Sequence, residues 1–185
     1  MANILTIFDF DDTLVRSHGA KVRVRHDDGS TSEMTSAEYA AYEKRPGDEF
    51  DYSDFELYPQ DAEPIRETFS ALRRSQAAGH DVMVLTARGS WKPVSRYLDD
   101  NGLGSVVVYA VGSSNPMAKA RAVIGLVRRF DYELVEVYED NLNNIRAIKK
   151  VVTDRGISFR SVKVIASGRH VALEGLRRHS LRRPG

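Results

Sequence analysis

Five short runs rich in β-branched residues constrain this chain most: "ILTIFDF" (4–10), "DVMVLTA" (81–87), "SVVVYAV" (105–111), "LVEVYED" (134–140) and "SVKVIAS" (161–167). Most are continuously apolar rather than alternating, which is the pattern of strands covered on both faces. Helical periodicity lies between several of them. In "AEPIRETFSALRRSQAAG", Ile65, Phe69 and Leu72 share one face, and Gly79 offers a C-cap. "KPVSRYLDDNG" groups Val94, Tyr97 and Leu98 before stopping at Asn101-Gly102, and "MAKARAVIGLVRRF" and "NLNNIRAIKKVVTDRG" read likewise. Strand–helix–strand alternation demands an α/β fold with a parallel sheet, right-handed crossovers and helices on both faces.

One segment breaks this rhythm. Residues 16–60 separate the first strand from its helix, far more than an ordinary βα loop. Within it "KVRVR", "HDDG" and "STSEMT" predict a β-hairpin turning at Asp28-Gly29. A helix follows over "TSAEYAAYEK", capped by Thr35 or Ser36. "RPGDEFDYSDFELYP" reads as irregular. Tyr39, Tyr42, Phe50, Tyr52, Phe55 and Tyr58 give the segment enough aromatic surface to fold as a small insertion. The expected division is a core of 1–15 and 61–176, an insertion of 16–60 and a basic tail of 177–185.

The tail "RRHSLRRPG" holds four arginines and no acid, on a chain of 185 residues with net charge +1. That balance gives no general drive toward nucleic acid or membrane. No apolar run approaches the ~20 residues of a membrane helix. The N-terminus lacks the basic start and long apolar stretch of a signal peptide, so a cytoplasmic protein is expected. The absence of cysteine excludes disulfides, thiolate metal sites and a cysteine nucleophile, and the five histidines show no ligand spacing.

The chemistry gathers at strand ends. "TIFDFDDTLV" (6–15) passes from a buried run into Asp9, Asp11 and Asp12, although carboxylates repel one another and resist desolvation. In an open parallel sheet, ligands bind outside the carboxyl ends of the strands. Those ends carry Asp9 and Asp11, then Thr86-Ala87-Arg88, then Glu139-Asp140. Clustered carboxylates call for a cation, and hard oxygen ligands suit Mg²⁺.

These residues resemble the haloacid dehalogenase superfamily, mostly Mg²⁺-dependent phosphatases. "DFDDT" fits its D-x-D-x-T signature, and "VMVLTAR", the lysine of "NPMAKARA" and "VYEDNLNN" follow in the family's order over residues 4–144. The resemblance implies a Rossmann-like core, with residues 16–60 as a small cap. It implies that Asp9 is the nucleophile that becomes an aspartyl-phosphate, and that Asp11 is the general acid and base. Thr86, Ala87 and Lys119 would bind phosphate, with Lys92 a rival lysine. Mg²⁺ would be held by Asp9, the backbone carbonyl of Asp11, Asp140 and Glu139. Asn144 stands where many members carry a second acid, and Asp12 where many carry glycine. Asn144, Arg88 and Arg23 are candidates for a supporting or substrate-contacting role.

The expected activity is a phosphomonoesterase acting on a phosphorylated substrate. "VYEDNLNNI" and "VLTAR" also resemble the 3′-phosphatase domain of polynucleotide kinases, which points to a nucleotide or nucleic-acid terminal phosphate. Lys21, Arg23 and Arg25 on the hairpin would suit such a substrate, or form a solvated strand face. No P-loop of a kinase half occurs. A small sugar or metabolite phosphate is the alternative substrate, and a non-catalytic binding domain of the same fold is the alternative of another class.

Overall fold

The computed structural model describes residues 3–165 and 167–173; the basic tail at 177–185 and the end of the core segment at 174–176 lie outside the described residues. In chain order the strands are β1 (Ile4–Phe8), β2 (Val15–Ser17), β3 (Val22–Arg25), β4 (Thr31–Met34), β5 (Glu49–Asp51), β6 (Ala62–Pro64), β7 (Asp81–Thr86), β8 (Val107–Ala110), β9 (Leu134–Glu139), β10 (Ser158–Val164) and β11 (His170–Leu173). The helices are α1 (Ser36–Ala41), α2 (Arg66–Ala77), α3 (Lys92–Asp100), α4 (Pro116–Arg129) and α5 (Leu142–Thr153).

The five apolar runs become β1, β7, β8, β9 and β10, in one mostly parallel sheet ordered β11-β10-β9-β1-β7-β8. Residue alternation divides β1 between two cores. Leu5 and Ile7, with Met83, Leu85, Val135 and Val137, pack against Ala120, Val123, Ile145 and Ile148 of α4 and α5. Phe8 and Val84 pack on the opposite face against Phe69 and Leu72 of α2 and Val94, Tyr97 and Leu98 of α3. Strand order advances one way from β1 through β8 and the other way through β9 and β10. A single crossover hand therefore places α2 and α3 on one face and α4 and α5 on the other, as observed.

Two sheet features depart from the sequence reading. β10 begins at Ser158 rather than Ser161, because its first residues alternate exposed, buried, exposed and look polar. β11 adds an antiparallel edge on β10. It is short and half-exposed, so no apolar run announces it.

Residues 16–60 form a three-stranded antiparallel sheet, β4-β3-β5, reached through the pair β2 and β6. The hairpin of β3 and β4 pairs Val22 with Met34 and Arg25 with Thr31, and Gly29 takes φ +81 at its turn. Thr35 caps α1 in a reciprocal capping box with Glu38. The segment read as irregular contains β5, paired with β3, and a 3-10 turn over Ser53–Glu56. In β5 the alternation Glu49-Phe50-Asp51 turns only Phe50 inward, too short a signal to read as a strand. Val22, Val24 and Phe55 make the insertion's own small core.

β1 carries the candidate site at its end, so its packing positions everything that follows. Phe8 is fully buried and stacks on Tyr138 with ring centroids 4.5 Å apart. Phe8→Ala should lower the unfolding free energy by about 3–5 kcal/mol and the melting temperature by roughly 10 °C, measured by calorimetry. A loss below about 1 kcal/mol would contradict this placement of Phe8.

Candidate active site

β1 does not end cleanly at Phe8. The Asp9 N–H still donates to the Tyr138 carbonyl at 3.0 Å, so Asp9 stays in the plane of the sheet. The backbone then turns sharply: Leu14 and Val15 both donate to the Phe10 carbonyl, at 2.9 and 3.0 Å, and Asp12 donates to the Val15 carbonyl at 2.7 Å. Asp12 sits at φ 59, the described residues' one positive value outside glycine. Aspartate tolerates that region better than most residues. Phe10 is buried against Tyr97, and Asp9, Asp11 and Asp12 line a cleft of about 760 Å³.

Three elements supply the other polar groups. Thr86 ends β7, buried, and its hydroxyl accepts from the Arg88 N–H at 3.2 Å. Glu139 ends β9. Asn115 caps α4 by accepting from the Met117 N–H at 2.9 Å, which aims the first turn of α4, and with it Lys119, at β1. The cleft also meets Ala87, Arg88, Asp140 and Asn144. Apart from Asn115 and Lys119 of α4 and Asn144 of α5, these groups come from the carboxyl ends of β1, β7 and β9, where the strand order reverses.

Each acid of the opening stretch has a different partner. Lys119 Nζ donates to Asp9 Oδ1 at 2.6 Å and to Glu139 Oε2 at 2.8 Å, all three side chains being buried. Asp11 is gripped by Arg88, whose Nε and Nη2 each donate at 2.8 Å to its two oxygens, while Ser17 Oγ donates to Oδ1 at 2.7 Å. Asp12 accepts from the Ser36 hydroxyl at the start of α1. Asp140 has no Lys or Arg partner among the described residues; it is half-buried beside Glu139.

One ammonium is too little charge for three crowded carboxylates. Burial, then the charge of Glu139, pushes the Asp9 carboxyl up to about 7 despite Lys119. Burial, then Glu139 and Asp9, pushes Asp140 up to about 9. Burial alone would lower the Lys119 ammonium, but Asp9 and Glu139 outweigh it and hold it above the ordinary lysine range. Burial likewise raises Asp12. Oxygen atoms of Asp9, Glu139 and Asp140 lie within 4.8 Å of one another. All-oxygen donors short of positive charge are the chemistry a hard divalent cation fits. The Asp11 carboxylate lies outside this group, turned toward Arg88 and Ser17.

Most of the residues expected at the site thus converge. Asn144 is buried against the cleft, and Ala87 lies exposed at its edge. Lys119, not Lys92, reaches the carboxylates; Lys92 is exposed at the start of α3. Arg23 is a correction. It lies outside the cleft, donating to Asp54 at 2.9 and 3.1 Å and to Glu33 at 3.1 Å. Arg25 pairs with Glu49 in the same way. Glu33 and Glu49 on the neighbouring strands and Asp54 on the 3-10 turn, partners invisible without the fold, pair with both arginines.

Other groups carried no sequence signal as site residues. Ser17 and Ser36 approach their acids only through the fold. Tyr39, Tyr52 and Phe55 of the insertion line the far wall of the cleft with Lys44. Their aromatic content was legible, but not where it faced. The Tyr39 and Tyr52 hydroxyls lie 2.6 Å apart, and Lys44 Nζ lies 5.1 Å from the rings of both Tyr39 and Phe50. No helix among the described residues is long and apolar enough to cross a membrane.

Comparison with protein-family models gave no match, and comparison with curated proteins gave none.

The raised carboxyls have a consequence for stability. The unfolded chain loses its Asp protons near pH ~4, whereas the folded chain holds those of Asp9 and Asp140 to about 7 and about 9. Between about pH 4 and 9 the folded state therefore binds more protons at these two groups, and stability falls as pH rises through this window. Thermal melts of metal-free protein should show that fall between about pH 6 and 9, and Asp140→Asn should flatten its upper part. Identical slopes for wild type and Asp140→Asn would contradict the charge crowding described.

Proposed function

We propose that this protein is a divalent-cation-dependent phosphomonoesterase of the haloacid dehalogenase type, working through an aspartyl-phosphate on Asp9. The observation that carries the reading is the convergence of Asp9, Asp11, Thr86, Lys119, Glu139 and Asp140 at one cleft. Each comes from the strand end or helix turn that the D-x-D-x-T resemblance assigns to it. On this reading the core is Rossmann-like and residues 16–60 form a small cap over the cleft.

An Asp9 oxygen attacks the phosphorus in line with the ester oxygen, forming the Asp9–phosphorus bond as the ester bond breaks. Asp11 gives its proton to the departing oxygen. It then takes a proton from the water that attacks the aspartyl-phosphate, which frees Asp9 and inorganic phosphate. Lys119 and the Thr86 hydroxyl face the non-transferring oxygens, where negative charge is held through both steps. Asp9, Glu139 and Asp140, with the Asp11 carbonyl, would hold Mg²⁺, which when bound offsets the crowded carboxylates and the charge on the phosphoryl group. Asn144 at the cleft wall would orient Asp140 or a water beside it.

The far wall favours a substrate whose leaving group is aromatic as well as polar. Tyr39, Tyr52 and Phe55 offer ring surface and Lys44 a positive charge, which suits a nucleotide, free or at a nucleic-acid end. The basic hairpin lends this no support, since Arg23 and Arg25 are occupied by their own acids. A small sugar phosphate would leave that wall unused. A binding domain without catalysis would have no need of both the nucleophile and the acid.

Purified protein with Mg²⁺ should release phosphate from nucleoside monophosphates or 3′-phosphorylated oligonucleotides faster than from sugar phosphates, and EDTA should stop it. Asp9→Asn should abolish turnover, and Asp11→Asn should slow it about 10²–10⁴-fold. Undiminished turnover in Asp9→Asn would falsify the assignment of the nucleophile.

A further inference from the structure

Arg88 is the most thoroughly engaged side chain in the cleft, and the reaction described above gives it no step. It is 4 % exposed. Its guanidinium lies between two aromatic rings, 5.2 Å from the centroid of Phe10 on the Asp9 turn and 5.3 Å from that of Phe55 in the insertion. Nη1 donates to the Phe55 carbonyl at 3.1 Å and weakly to that of Leu57 at 3.4 Å. The remaining edge makes the two-pronged contact with Asp11.

The contacts on Asp11 can be counted. A carboxylate offers about four acceptor positions, two on each oxygen. Arg88 fills one on Oδ1 and one on Oδ2, and Ser17 fills the second on Oδ1. Oδ2 alone keeps a free position. A planar fork also fixes the plane of the carboxyl group, which a single point charge does not.

We infer that Arg88 is a positioning residue: with Ser17 it leaves Asp11 one working oxygen, Oδ2, and through Phe55 and Leu57 it ties that oxygen's aim to the seating of the insertion. The inference rests on the phosphomonoesterase reading, in which Asp11 moves the proton. Oδ2 gives the proton to the leaving oxygen and later takes one from water, while Oδ1 stays bound. The guanidinium moves no proton itself and acts only through its hold on Asp11. The 3-10 turn over Ser53–Glu56 thereby becomes part of the proton-transfer geometry. Substrate binding against the insertion can then be felt at the acid without any group crossing the cleft.

The test compares two substrates of nearly equal size, p-nitrophenyl phosphate and phenyl phosphate. The first releases a weakly basic phenolate that needs little protonation; the second needs the acid more. kcat/KM covers the steps through departure of the leaving group, so it isolates this demand. Lysine cannot reproduce the fork, so Arg88→Lys should lower kcat/KM for phenyl phosphate about 100-fold and for p-nitrophenyl phosphate less than about tenfold. Ser17→Ala should show the same bias in weaker form. Equal losses on both substrates, or no loss, overturn the inference and leave Arg88 a structural residue. If Arg88→Lys does not fold, as judged by circular dichroism, Ser17→Ala decides by the same criterion. Wild-type protein that with Mg²⁺ releases phosphate from neither aryl phosphate, nor from nucleoside monophosphates or 3′-phosphorylated oligonucleotides, overturns the phosphomonoesterase reading, and this inference with it.

Discussion

The Lys119 ammonium, held between Asp9 and Glu139 at the end of a buried sheet, is the interaction on which the rest of the site depends. Burying an ion costs several kcal/mol unless partners compensate it. Here one cation compensates two carboxylates directly, with Asp140 beside them. The fold meets the geometric half of this demand. β1 and β9 bring the acids side by side, and the capped first turn of α4 delivers the lysine from the other side of the strand ends. The charge deficit is left standing, and it is what makes the all-oxygen cluster suited to a divalent cation.

The second pair is organised on different lines. Arg88 and Asp11 match one for one, in a planar fork supported by rings and carbonyls from both the core and the insertion. Lys119 thus serves a cluster that lacks positive charge, whereas Arg88 serves a single carboxyl that lacks none. Asp12 takes neither cation and instead ties the turn to α1 through Ser36. Separate partners for each of the three acids soften their mutual repulsion, although the charge of Asp11 still raises both Asp9 and Asp12.

Much of this was legible in the sequence, for physical reasons that vary by residue. Continuous apolar runs identify strands buried on both faces, so β1, β7 and β9 and the polar residues at their ends could be placed without a structure. Lys119 was legible only as one of two lysines, because choosing between them requires knowing which helix turn points at β1. The partners of Arg88, Ser17 and Ser36 were not legible, since their contacts join segments distant in the chain. For Arg23 the sequence left a substrate contact and a solvated strand face both open for the same reason: Glu33 and Asp54 reach it only through the strand register and the 3-10 turn. β5 and β11 escaped because three or four half-exposed residues carry no periodicity strong enough to mark a strand.

Calorimetric titration of the protein with Mg²⁺ at about pH 7.5, in two buffers of different ionisation enthalpy, tests the charge account directly. With carboxyls raised to about 7 at Asp9 and about 9 at Asp140, a bound cation must displace protons. Binding should therefore release protons in wild-type protein and fewer in Asp140→Asn. Mg²⁺ binding with no proton release, or no binding at all, would contradict the claim that these carboxylates are crowded for the sake of a cation.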